Sequence, residues 1–279
     1  MTMKSQRYPH FQWGFTTQNF SKALPVTAEA VRNHILHARE RGYSWIELRD
    51  PEAGLSIDDC KALAEFARGQ GIEVNYSAQR GLLAEDFMEV IARAAANTAV
   101  FDGPRVVRVL ALRGAGEFGW DDAEFARSIE NAKDAAALAA RHGLRLAVEN
   151  AETALYGVPG DYQGMNDFML AAPPDVWLQL DTSNLFCLPV IPSADDAAAF
   201  IRSHAQRVAY LHLKSARDGK ALTRLDGNPL PFSQVFDIVA NDAPTYVAIE
   251  LSGSADAAEV RAEMDASITH LSETGILDP

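Results

Sequence analysis

Leu-Ala-Val-Glu-Asn at residues 146–150 is a short apolar run that ends on an acid, and three later stretches repeat the pattern. They are Leu-Gln-Leu-Asp-Thr at 178–182, Tyr-Leu-His-Leu-Lys at 210–214 and Val-Ala-Ile-Glu-Leu at 247–251. Each reads as a buried strand carrying one polar group: Glu149, Asp181, His212 and Glu250. Their separations are 32, 31 and 38 residues. A strand plus a returning helix takes about 30 residues or more, so the four groups are expected at equivalent ends of four consecutive parallel strands. Two Glu, one Asp and one His converging on one point form a ligand set for a divalent metal.

The same alternation extends to both ends of the chain. Strands are predicted at about 11–18, 43–49, 72–77, 106–112, 144–149, 176–181, 207–213 and 245–251. Helices are predicted at about 27–42 with Thr27 as N-cap, from Ser56 to Gln70 with Gly71 as stop, and after residue 83, where Leu83, Phe87, Val90, Ile91 and Ala94 follow helical spacing. Further helices are expected at about 121–142 with Gly143 as C-cap, and at 163–171, 195–206, 232–241 and 256–273. No linker, charge block or low-complexity tract divides the series. Strict alternation implies parallel pairing with right-handed crossovers. The expected fold is therefore α/β, a single (β/α)8 TIM barrel domain over residues 1–279. A doubly wound open sheet is the alternative, but no Gly-rich turn follows the first strand. Barrel enzymes place their sites at the C-terminal ends of the strands, which is where the four polar groups lie.

Bulk composition narrows the partners. The formal net charge of −13 disfavours a nucleic-acid backbone or an anionic membrane, both of which need a positive surface. Cys60 sits on an apolar helix face with Leu63, Ala64 and Ala67, and with Cys187 the only other cysteine there is no disulfide framework. The first residues lack an apolar signal-like region and no run approaches 18 apolar residues, so the expectation is a cytoplasmic protein. Asn75-Tyr76-Ser77 matches a glycosylation pattern but falls in a predicted strand. His10, His34, His37, His142, His204 and His270 lie in terminal or helical contexts and read as surface residues.

The ordered set Val-Glu-Asn, Leu-Asp-Thr, His-Leu-Lys and Ile-Glu-Leu resembles the xylose isomerase-like barrel superfamily, in particular its sugar phosphate isomerase/epimerase group. The likeness runs from Gly42-Tyr-Ser-Trp-Ile-Glu-Leu-Arg49 to the final helix. It implies that Glu149, Asp181, His212 and Glu250 bind one divalent ion, Mn2+ first, with Mg2+, Co2+ or Zn2+ as alternatives. It implies that Glu149 and Glu250 are also the acid and base on opposite sides of the substrate, and it points to a homodimer. Members often carry Asp-x-x-His on strand six, where this chain has Asp181-Thr-Ser-Asn184. Asn184 can hydrogen-bond a hydroxyl but does not titrate near neutrality. Many also carry His-x-Lys-Asp on strand seven, where this chain has His212-Leu-Lys214-Ser215.

Those residues suit proton abstraction next to a metal-bound carbonyl of a keto-sugar or related polyol. Return of the proton on the opposite face epimerises, return at the adjacent carbon isomerises, and loss of a β-leaving group dehydrates or eliminates. A metal-dependent isomerase or epimerase is the leading expectation. A lyase, such as a dehydratase of the 3-dehydroshikimate or inosose type or an eliminase of a 3-keto-sugar, is the runner-up. A multi-metal phosphodiesterase would need more His and a basic groove. A non-catalytic sugar-binding barrel would not need the full ligand set. Lys214 should face the same side as His212 and reach substrate. Arg217 in the next loop and Glu47 near the end of strand two are further substrate-binding candidates, against a solvated loop and a bracing salt bridge respectively. Arg113, Trp13 and Phe15 are second-tier candidates, the two aromatics as pocket walls. Arg113-Gly-Ala-Gly116 lacks the third Gly of a dinucleotide fingerprint and reads as a lid loop.

Overall fold

The computed structural model describes residues 3–110, 121–150, 163–187, 191–240 and 246–278. Seven parallel strands come first: β1 (Gln12–Thr16), β2 (Trp45–Arg49), β3 (Glu73–Ser77), β4 (Val106–Leu110), β5 (Arg145–Glu149), β6 (Val176–Asp181) and β7 (Val208–Leu213). A two-residue hairpin, β8 (Ala216–Arg217) and β9 (Lys220–Ala221), precedes the last barrel strand, β10 (Tyr246–Ile249). Helices α1 (Ala28–Arg41), α2 (Ile57–Gln70), α3 (Phe87–Thr98), α4 (Asp122–Arg141), α5 (Gln163–Ala171), α6 (Ala194–His204), α7 (Phe232–Val239) and α8 (Ala257–Glu273) alternate with the eight main strands. The order in the sheet is β3-β2-β1-β10-β7-β6-β5-β4, so the chain closes on itself as an α/β TIM barrel.

The seam lies between β3 and β4. There the Asn75 side chain acts as a peptide group: its Nδ2 donates to Val106 O at 3.0 Å and its Oδ1 accepts from Val106 N at 2.9 Å. Leu110 N donates to Arg80 O, and Leu82 N to Leu110 O, at the other end of the seam. A peptide-like amide thus satisfies backbone groups that an open edge would leave unpaired.

Local signals explain most boundaries. Thr27 and Ser56 accept from Ala30 N and Asp59 N, and Gly42 and Gly71 end their helices at φ 78° and 70°. At the end of α4 the cap is His142, one residue before the expected Gly143, which takes the left-handed conformation next, at φ 67°. Strand four was expected to Leu112; residues 111 and 112 lie outside the described residues. The β8–β9 hairpin was not expected. Its turn residues, Asp218 at φ 51° and Gly219 at φ 75°, form the Asp-Gly dipeptide favoured by two-residue hairpins.

Alternation along each strand divides the core in two. Outward-facing apolar residues pack under the helices. Trp45, Val106, Ala147, Ala209, Tyr210 and Ala248 form a smaller core of their own. Gly14 belongs with it, since a Cβ there would fall on the Trp45 carbonyl and indole. Trp13 and Phe15 therefore face the other way and do not wall a pocket. Trp13 packs on Phe11 and Phe236, and Phe15 on Phe20, His37 and Tyr43. Three of the histidines expected at the surface are also buried: His34, His37 and His204. The first two belong to the α1 stripe that contacts Phe15 and Phe20, and His204 Nε2 meets Asn166 Oδ1 at 3.0 Å. Cys60 is fully buried, as expected of core filler.

Candidate metal centre at the C-terminal ends of the strands

The inward parity of each strand sets the site. Glu149 and Asp181 are the last residues of β5 and β6, His212 is the fifth of β7, and Glu250 follows β10 directly. Asp181 is in register with His212, and His212 with Ala248. Side chains extend the ladder past the last backbone pairs. Asn150 Nδ2 donates to Asp181 O at 3.0 Å, and Asn150 Oδ1 accepts from Asp181 N at 2.8 Å. Asn19 does the same for β10, donating to Ile249 O and accepting from Leu251 N on either side of Glu250. Thr182 Oγ1 donates to Lys214 O and accepts from Lys214 N. Three of the four strand ends that carry candidate ligands are thus fixed by neighbours' side chains.

His212 lies at the centre. Its Nε2 is 2.8 Å from Glu47 Oε2. Its Nδ1 lies 2.8 Å from Glu250 Oε2, and 4.0 Å from both Glu149 Oε1 and Asp181 Oδ2. Two overlapping donor groups result, Glu149–Asp181–His212 and Glu47–His212–Glu250, each with its atoms within 4.8 Å of one another. Every member is buried.

Three cations enter the same space. Arg49 Nη2 bonds Glu47 Oε2 at 3.2 Å and Glu250 Oε2 at 3.3 Å. Lys214 Nζ bonds Glu250 Oε1 at 3.1 Å. Arg108 pairs with Glu149 through Nη2 and donates through Nε to Gln179 Oε1. Burial opposes ionisation of Glu47, yet Arg49 and His212 outweigh it and hold the carboxyl well below the usual range. Glu250 is held low in the same way, by Lys214, His212 and Arg49 against burial. Burial likewise resists charge on His212, but Glu47 and Glu250 raise it above the ordinary imidazole value. Asp181 differs: burial pushes it up, and Lys214 pulls back only in part. Arg108 is pushed down to about 10 by burial.

The donor set fits a divalent ion. Asp181 Oδ2 is buried without a hydrogen-bond partner, and His212 Nδ1 is faced only by the carboxylates of Glu250, Glu149 and Asp181. Such orphaned groups are costly unless something meets them. Carboxylate and imidazole together suit Mn2+, Mg2+, Co2+ or Zn2+.

The remaining expected residues separate clearly. Asn184 lies inside the site and donates from Nδ2 to Glu149 Oε1 at 3.2 Å. Lys214 joins it through Glu250. Glu47 is fully buried, with Oε1 accepting from Tyr210 Oη at 2.7 Å and Oε2 meeting His212 and Arg49. Its carboxylate meets protein on both oxygens. Arg217 stands outside the cluster in the hairpin, 58% exposed and 3.3 Å from Asp226. Arg113 and its Gly-Ala-Gly loop lie outside the described residues. Sequence reading missed Arg49, Arg108, Tyr210 and Gln179. The available signal was parity: each but Arg108 is two residues from Glu47, His212 or Asp181, and Arg108 interrupts the apolar run Val-Val-Arg-Val-Leu.

Comparison with known proteins places this geometry in a family. The model for the Xylose isomerase-like TIM barrel matches residues 35–271. No curated protein sequence matches the chain. Among solved structures, a D-psicose 3-epimerase with D-tagatose from Clostridium cellulolyticum H10 aligns with a TM-score of 0.69 and 14% identity, covering 95% of this chain and 99% of that one. An L-ribulose 3-epimerase aligns with a TM-score of 0.72 and 16% identity, over 99% and 95%. A xylose isomerase-like TIM barrel protein from Mycobacterium smegmatis, in complex with magnesium, gives 0.72 and 16% over 95% and 97%. No helix among the described residues is long and apolar enough to cross a membrane. At these identities the structures speak for the fold, and the family model covers most of the sequence: the chain belongs to the xylose isomerase-like TIM barrel family.

Proposed function

We propose that this protein is a divalent-metal-dependent isomerase or epimerase, built as one barrel domain, that removes the proton next to the carbonyl of a keto-sugar or related polyol. The observation that carries this is the pair of buried donor groups that share His212, Glu149–Asp181–His212 and Glu47–His212–Glu250, with Asp181 Oδ2 left without a hydrogen-bond partner. Glu149, Asp181, His212 and Glu250 would hold the ion, Mn2+ by preference. When bound, the ion supplies Lewis-acid polarisation of the carbonyl.

The chain's own residues supply proton transfer and orientation. Glu250, kept ionised by Lys214 and Arg49, is a base available at neutral pH. Glu149, fixed by Arg108 and Asn184, is the partner acid. The two reach the centre from β5 and from the end of β10, on different sides of His212, as removal and return of a proton on opposite faces requires. Lys214 and Asn184 are placed to hold substrate oxygens. The resemblance to ketose 3-epimerases supports the substrate class.

Asn184 gives a lyase reading its specific support. A His at this place would carry a proton between positions; an amide only orients. Elimination from the deprotonated substrate needs no such relay.

The test is elemental mass spectrometry of protein purified without chelator, followed by a screen of keto-sugars in deuterated water. About one divalent ion per chain, with solvent deuterium entering product of unchanged heavy-atom composition, supports the isomerase. Loss of water supports the lyase. No metal after reconstitution would sink both.

A further inference from the structure

A second cleft lies on the other face of β2 from the metal centre. Glu47 and Arg49 turn into the barrel, so Leu48 between them turns out toward α1. There the end of β2, the segment after β1 and the first turns of α1 enclose about 170 Å3. Leu24, Val26, Val31 and Leu48 supply apolar wall, and Thr17, Gln18 and His34 supply polar groups. A space of about 150 Å3 is enough for one benzene ring. Among the described residues, Arg49 is the one that borders both this cleft and the buried donor cluster.

The polar groups of the cleft have bonding capacity to spare. His34 is 5% exposed, its ring packs against Phe15 and Phe20, and neither ring nitrogen has a hydrogen-bond partner among the described residues. Burial, with His37 and Arg261 adding to it, holds the ring neutral at pH 7, so one nitrogen donates and the other accepts. Thr17 Oγ1 accepts from Arg49 N at 2.9 Å and still has a proton to donate. The Gln18 amide has no partner among the described residues and can do both. Buried polar groups are costly unless something hydrogen-bonds them. None of these three groups is charged, and the one guanidinium at the border is engaged by Glu47 and Glu250. An anion therefore finds no unpaired cation among the described lining residues, and a cation finds Arg49 and no carboxylate. We propose that this cleft is a second binding site, for a small uncharged molecule that joins an apolar ring or chain to a hydroxyl or carbonyl group. The site stands apart from the metal-dependent reading and needs no metal.

The test uses the protein as purified, its histidine rings labelled with nitrogen-15, and three probes of one size: benzyl alcohol, benzoate and benzylamine. The His34 signals are those missing from His34→Phe. Benzyl alcohol should shift them with a Kd of about 1 mM or tighter, a range open to so small a ligand, and at least about tenfold tighter than either ion. Ala30→Trp, which brings a large ring into the cleft from α1, should lose that shift. No shift at His34 from any probe up to about 10 mM, a preference for benzoate or benzylamine, or an unchanged titration in Ala30→Trp overturns the proposal. If Ala30→Trp does not fold, the wild-type ranking at His34 decides alone.

Discussion

Glu47 and His212, 165 residues apart in sequence, meet through Oε2 and Nε2 at 2.8 Å in the fully buried barrel interior. Tyr210 Oη donates to the other Glu47 oxygen at 2.7 Å, which fixes the carboxylate plane. A carboxylate facing Nε2 favours a proton there and fixes the ring with Nδ1 toward Glu250, Glu149 and Asp181. Glu47→Gln preserves the shape and removes the charge. Mn2+ affinity measured by calorimetric titration should fall by about 10- to 100-fold, the range for partners behind a metal-binding His. Unchanged affinity would show that something else orients the ring.

Glu149 and Glu250 should be separable from the residues that only bind metal. A positioned acid or base contributes about 10²- to 10⁴-fold. Glu149→Gln and Glu250→Gln should each lower solvent deuterium exchange into a responsive keto-sugar by at least about 10²-fold even at saturating Mn2+, and both, like His212→Ala, should bind the metal more weakly. Exchange that survives in either Glu variant would remove that residue from proton transfer.

Much of this architecture was legible in the sequence, because a parallel barrel strand is short, apolar and followed by a helix of clear period. Glu149, Asp181, His212 and Glu250 stood out as polar groups closing apolar runs, and the structure brings them together. Glu47 reads in the sequence as a substrate contact or a brace, and in the structure its buried carboxylate meets Tyr210, His212 and Arg49. Trp13 and Phe15 line no pocket because Gly14, between them on β1, turns inward against Trp45. Arg217 pairs with Asp226 in a hairpin that only the Asp-Gly dipeptide announced. Arg49 and Arg108 escaped notice for a deeper reason. Arg49 reaches Glu250 and Arg108 reaches Glu149, both far away in sequence, and only the same-face spacing of Arg49 from Glu47 could have flagged either pairing locally.

Asn150 shows how the backbone of the site is held. Its amide both donates to and accepts from Asp181, beyond the last regular bond between β5 and β6. Asn150→Asp keeps the acceptor but loses the donor, and adds a negative charge beside Asp181 O. The variant should lose about 1–3 kcal/mol in urea unfolding, the usual cost of a buried group left unpaired. It should also bind Mn2+ more weakly. A stability loss without any change in Mn2+ affinity would mean that Asp181 keeps its place without the asparagine.

His34 gives the fold its own acid sensitivity, away from the metal centre. It packs 4.7 Å from the Phe20 ring, and burial, with His37 and Arg261 adding positive charge, pushes its pKa down to about 4. In the unfolded chain it would titrate near the ordinary imidazole value of about 6.5. The folded state thus resists a proton that the unfolded state accepts, so stability present at neutral pH is lost as pH falls from about 6.5 toward about 4. A difference of this size corresponds to about 3 kcal/mol between pH 7 and pH 4. His34→Phe retains an aromatic ring against Phe15 and Phe20 and removes the titration. Urea unfolding at a series of pH values should show the wild type losing about 3 kcal/mol more than this variant over that interval. Parallel pH profiles would assign the acid sensitivity to other groups.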